Sequence, residues 1–113
     1  MSLPPGVSLE NNDVVLDGVD PHLLSLVAHL GMLHKLAFGE DMVVVFGRGD
    51  RAGAPYYSQL HQFGRAVAIL TRDLEHAGLA LLVHCVAFTA DVQPIAYRDD
   101  RPNGLLIIEW WGA

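Results

Sequence analysis

Cysteine and basic residues are scarce in this 113-residue chain, and long apolar runs are missing from it. A single cysteine, Cys85, excludes an intrachain disulfide, a cysteine-rich zinc site and a dithiol redox pair. Seven Lys and Arg stand against thirteen Asp and Glu, a formal charge of -6. With no cluster of cations to neutralise a row of phosphates, no nucleic-acid partner is expected. The longest apolar stretch, Ala77 to Phe88, is interrupted by His84 and is too short to span a bilayer, so no membrane partner is expected either. Met1-Ser2-Leu3-Pro4-Pro5 has neither the basic start nor the apolar core of a secretory signal, which leaves the compartment open. What the chain does have is apolar bulk, 51% hydrophobic against 18% charged. That suits one domain over residues 1–113 with a real core, and residues 1–12 read as a flexible N-terminal arm.

Local signals divide the chain into a few elements. Val14-Val15-Leu16, before Asp17-Gly18, reads as an edge strand or extended arm. Asp20-Pro21 is an N-cap followed by proline at the first helical position, and Leu23, Leu26, Val27, Leu30, Leu33 and Ala37 recur at helical spacing until Gly39. Met42 to Phe46 is a short buried strand. In Gly64 to Leu70 one strand face carries Gly64, Ala66 and Ala68. Asp73 can cap a second helix ending near Thr89, with Leu74, Ala77, Leu81, Leu82, Cys85 and Phe88 as its apolar stripe. Val92 to Tyr97 and Leu105 to Trp111 flank a polar turn with Asn103-Gly104, the mark of a β-hairpin. The expected class is α+β, a small mostly antiparallel sheet with two helices packed on one side.

The segment Gln59-Leu60-His61-Gln62-Phe63-Gly64-Arg65-Ala66-Val67-Ala68 resembles Ser-x-His-x-x-Gly-x-Ala-x-Asp, the signature of zinc D-alanyl-D-alanine carboxypeptidases and dipeptidases. Hedgehog signalling domains share that fold. The resemblance implies that His and Asp are zinc ligands, with Gly and Ala keeping the strand slim beside the metal. His61, Gly64 and Ala66 match, whereas Gln59 and Ala68 do not. The family's third ligand is a histidine on a C-terminal strand rich in aromatics. Leu106-Ile107-Ile108-Glu109-Trp110-Trp111 is similar to that strand, with Ile107 in the histidine's place. A rival register aligns Glu109-Trp110-Trp111-Gly112 with Glu-Trp-Trp-His and leaves Gly112 at the vacant position; the first is preferred because Gly112 is one residue from the chain's end. Upstream, Phe46-Gly47-Arg48-Gly49 is similar to the family's Ser-Gly-x-Arg, with Phe46 and Gly49 at the serine and arginine positions and Arg48 and Arg51 out of register.

The departures fall together on the implied site, at positions 46, 49, 68 and 107, and replace polar groups by apolar or small ones. One imidazole cannot hold zinc where three protein ligands are usual, so no metal and no other cofactor is expected, although zinc is the family's cofactor. The pattern is that of a metal pocket emptied to receive an apolar ligand, as an engineered variant would be. Period-two alternation puts Ile107 and Glu109 on one strand face, so Glu109 can share a pocket with His61. The candidate catalytic pair is His61 and Glu109, acting by general-base or hydrolytic chemistry. The pocket residues are Phe46, Gly49, Gln59, Ala68 and Ile107, and the partner is a small-molecule or peptide ligand. Two alternatives stay open: a zinc peptidase acting on peptidoglycan cross-links with Glu109, Asp99 or Asp100 as replacement ligands, and a non-catalytic module binding cell-wall peptides or a protein.

Plainer readings apply to the remaining polar landmarks. No two of His22, His29, His34, His76 and His84 are three or four residues apart, so solvated helix faces account for them better than a metal cluster. Cys85 falls on the expected apolar stripe and reads as core. Arg48-Gly49-Asp50 matches an adhesion tripeptide too short to carry weight. Trp110 and Trp111 face opposite ways on a strand, one into the core and one outward.

Overall fold

The structure, a computed structural model, describes residues 3–48, 64–71, 76–92, 95–100 and 104–111. The elements run β1 (Val7–Leu9), α1 (Pro21–Phe38), β2 (Met42–Phe46), β3 (Ala66–Leu70), α2 (His76–Thr89), β4 (Ile95–Asp100) and β5 (Leu105–Trp110). The five strands form one mixed sheet in the order β1-β2-β3-β5-β4. β1 pairs parallel to β2 and the other pairings are antiparallel, so the class is α+β.

α1 begins and ends where its capping residues require. The Asp20 carboxylate accepts the His22 backbone N–H at 2.9 Å, Pro21 occupies the first turn, and Gly39 closes the helix in the left-handed conformation at φ 74°. Such an N-cap contributes about 1 kcal/mol. Leu23, Leu26, Val27 and Leu30 are buried as their spacing foretells, but the last two turns rotate away from it. Leu33 and Ala37 are exposed, while Gly31 and His34 face inward. Gly31 lies against Gly6 and Val7, where a side chain would collide. His34 is buried with Nδ1 2.8 Å from the Glu40 carbonyl, a contact that requires the ring nitrogen to donate. It is a satisfied structural histidine rather than a solvated one.

Both helices cover the same face of the sheet. Leu23, Leu26, Val27 and Leu30 of α1 and Leu79, Val83, Val86 and Ala87 of α2 join Met42, Val44, Val67, Ile69, Leu106, Ile108 and Trp110 in the main core. Phe46, Ala68, Leu105 and Ile107 form a second, separate cluster, with Val45 and Leu70 packed on it. β3 and β5 therefore contribute alternate residues to two cores, which is why both read as nearly continuous apolar runs.

Further expectations differ from the structure. Of the two readings of Val14–Leu16, the edge strand fails and the extended segment stands: it has no regular structure, Val14 and Leu16 plug the main core, and the Val15 carbonyl accepts the Arg48 backbone N–H at 2.7 Å. The edge strand is β1, inside the segment read as a flexible arm, with Val7 buried and paired to Met42. On α2, Leu81, Cys85 and Phe88 point to solvent, and the buried stripe is Leu79, Ala80, Val83, Val86 and Ala87. The helix is apolar on every side, so periodicity alone does not pick its inner face. Asp73 and Leu74, the expected start of that helix, lie outside the described residues.

Gly64 ties the start of β3 to the start of α1. Its φ is +69°, its carbonyl accepts the Asp20 backbone N–H at 2.8 Å, and a Cβ there would collide with the Gly18 carbonyl oxygen. Gly64→Ala is expected to cost about 2–4 kcal/mol in urea unfolding. Gly78→Ala in α2, where a Cβ meets nothing within 4 Å among the described residues, is expected to raise stability by about 0.5–1 kcal/mol.

Candidate functional site

Alternation along β2 would set Phe46 beside Met42 and Val44, under the helices. It does not, because a bulge intervenes: Val44 pairs with Ile69 and Phe46 with Ala68, so two steps along β2 answer one along β3. The extra residue turns Phe46 onto the face away from the helices. There it joins a cross-strand row, since Ala68 pairs with Ile107 on its other side and Ile107 with Arg98. Three candidate positions that are distant in sequence, 46, 68 and 107, thus lie side by side across β2, β3 and β5.

Directly paired residues of antiparallel strands have Cβ atoms about 5 Å apart. That separation would let two ligating side chains at positions 68 and 107 converge on one ion. Gly112 lies outside the described residues, as do His61, Gly49 and Gln59. The side chains in the row are methyl, sec-butyl and benzyl groups, none of which can donate an electron pair to zinc, so this row does not fit the metal. Among the described residues no group of three or more His, Cys, Asp and Glu is placed to hold a metal ion.

Glu109 stands one step along the same face, paired with Ala66 on β3 and Ala96 on β4. It is half-buried, and its cross-strand neighbours are both single methyl groups. The carboxylate therefore rises above a low floor next to the apolar row. Arg98 is diagonal to it across β4 and β5, a spacing that long side chains can bridge. The arrangement is a buried apolar row with a half-buried carboxylate at one end and an exposed arginine on the edge strand.

Arg98 and Leu105 were absent from the candidate set. Both were accessible from the hairpin register, because the partner of Ile107 and the residue two before it must share its face. Trp110 and Trp111 divide as their alternation requires, Trp110 buried in the main core and Trp111 exposed. The ring of Trp110 stacks with His22 at 4.7 Å, and the Arg65 guanidinium lies 5.0 Å from its centroid. Its Nε1 is buried with no hydrogen-bond partner among the described residues. Arg48, the out-of-register candidate, lies with its side chain against Gly18.

Comparison with protein-family models, curated proteins and solved structures finds no match to the chain.

The packing of the row is open to measurement. Phe46→Ala is expected to cost about 3–5 kcal/mol and Ile107→Ala about 2–5 kcal/mol in urea unfolding. The double variant should depart from the sum of the two by about 0.5–3 kcal/mol, because both side chains pack on Ala68.

Proposed function

We propose that the chain is a D-alanyl-D-alanine carboxypeptidase-like scaffold, related in shape to hedgehog domains, whose metal position is occupied by packed apolar side chains. In this reading it binds a small molecule or peptide without zinc. The observation that carries the reading is the row Phe46, Ala68 and Ile107: three positions that the family resemblance assigns to one site are neighbours across three strands and are all apolar. The element order and the placement of both helices on one face of a mixed sheet support it further.

Glu109 is the polar group beside that row, and His61 is the retained histidine of the motif. An imidazole oriented by a carboxylate takes a proton from water or from an acidic C–H, which is the chemistry of a metal-independent hydrolase or general base. Zinc chemistry would need ligands at 68 and 107 that the chain lacks. The two substitutions that would restore them are therefore the direct test.

Elemental analysis of the chain as it stands is expected to give far less than one zinc per molecule, and one zinc per molecule would refute the metal-free reading. Ala68→Asp combined with Ile107→His is expected to bind close to one. Both positions are buried, so the variant without metal should be destabilised by several kcal/mol and regain most of that loss on adding zinc. A folded variant that never takes up zinc, or one whose melting ignores it, would contradict the pocket assignment.

His61→Ala and Glu109→Gln are each expected to lower hydrolysis of 4-nitrophenyl acetate by about tenfold or more, the lower end of general-base contributions. Unchanged rates in both would remove the catalytic part of the proposal.

A further inference from the structure

The outer surface of the helix layer, on the opposite side of the molecule from the candidate site, is apolar where a surface is ordinarily charged. α1 and α2 together contain one charged residue of the Lys, Arg, Asp and Glu set, Lys35, and that one is paired with Asp41 at 3.3 Å. α2 has none. Leu81, Cys85 and Phe88 follow one another at the i, i+4, i+7 spacing of a single helix face, and that face is exposed. Met32, Leu33 and Leu36 form the adjoining exposed stripe of α1. Between the two stripes runs a groove of about 260 Å³ lined by His29, Met32, Leu33, Leu36, Cys85 and Val86, with Thr89 at its end.

A helix that is apolar all round is normally buried all round. The inner faces of these helices are buried on the sheet, and the outer faces are not. Leu36 is 78% exposed, Phe88 79%, Leu81 66%, Met32 51% and Leu33 39%. With full side-chain areas of about 170–200 Å², these five alone expose about 600 Å², at the upper limit of the largest apolar patch on ordinary monomers.

We infer that this face is an isologous interface that pairs two copies of the chain, helix layer against helix layer. Two such faces bury about 1,200 Å², the lower end of stable specific interfaces. A patch without charge is complementary to itself, and pairing it about a two-fold axis brings no like charges together. A bilayer is the less suitable occupant. Interfacial helices carry cations on their polar face to meet anionic lipid, whereas this chain has net charge -6 and these helices offer only Lys35. The inference is independent of the proposed ligand site.

Cys85 lines the groove and is the only cysteine, so thiol labelling reads the covering of this face directly. Sedimentation velocity of the whole chain is expected to show a dimer that dissociates on dilution through roughly the micromolar range, as a small interface implies. Over the same range, alkylation of Cys85 by a maleimide should accelerate about tenfold or more as the dimer dissociates. Leu36→Glu and Leu81→Glu, one on each helix, should each give a monomer with fast labelling and an unchanged circular dichroism spectrum. A monomer at every concentration with a constant labelling rate would overturn the inference. So would a dimer that survives both substitutions with Cys85 freely reactive, or a monomer that floats with phosphatidylcholine vesicles.

Discussion

One extra residue in β2 governs how the two faces of the sheet are used. Met42 and Val44 point under the helices, and uninterrupted alternation would send Phe46 after them into a core already filled by Leu23, Leu26, Val27 and Leu30. The bulge between Val44 and Phe46 turns the phenyl group to the far side, where Ala68 leaves room for it. Ala68 is small, and its neighbours Phe46 and Ile107 are large, which is the alternation of sizes that lets a cross-strand row interdigitate. The same bulge brings three scattered sequence positions into one cross-strand row.

The two faces of the sheet then take different roles. On the helix side, β2, β3 and β5 supply Met42, Val44, Val67, Ile69, Leu106 and Ile108 to a core that α1 and α2 close. On the far side a smaller apolar cluster sits beside the half-buried Glu109 with its alanine neighbours. The helix layer in turn has an inner face committed to the sheet and an outer face rich in exposed leucine, methionine and phenylalanine. The proposed ligand site and the proposed pairing surface thus lie on opposite sides of the fold, so that each can be changed without the other.

Much of this was legible in the sequence wherever a local rule had one solution. Asp20, Pro21 and Gly39 bound α1 to the residue, because a side-chain cap, a proline in the first turn and a left-handed glycine each fit only a helix end. Met42 to Phe46 and the C-terminal hairpin followed from β-branched runs and a glycine turn, although β4 continues to Asp100, through residues that composition marks as turn. Where several solutions existed, pattern failed. Val-Ser-Leu at 7–9 is too short to announce a strand, and it is held by parallel pairing with β2, a non-local contact. Val14 and Leu16 have a strand's residues but serve as plugs. α2 offers an apolar residue in every direction, so the choice of Val83 over Leu81 for the core belongs to tertiary packing, where Val83 and Ala87 join the core on the sheet. At the candidate site the family resemblance supplied positions 46, 68 and 107, whereas the bulge that unites them leaves no mark in residue type. Arg98 and Leu105 are placed by strand register, which the hairpin sequence implies only once its pairing is known.

Phe46, Ala68 and Ile107 are neighbours on the sheet face opposite the helices, and everything said of the candidate site depends on that placement. Nuclear Overhauser effects from the Phe46 ring protons report this directly, because they require protons within about 5 Å, the spacing of directly paired strand residues. Strong cross-peaks are expected from the Phe46 ring to the methyl group of its direct partner Ala68, weaker ones across Ala68 to Ile107, and none to Leu26, Val27 or Leu30. Cross-peaks from that ring to the α1 leucines would place Phe46 under the helices, remove the bulge and dissolve the site.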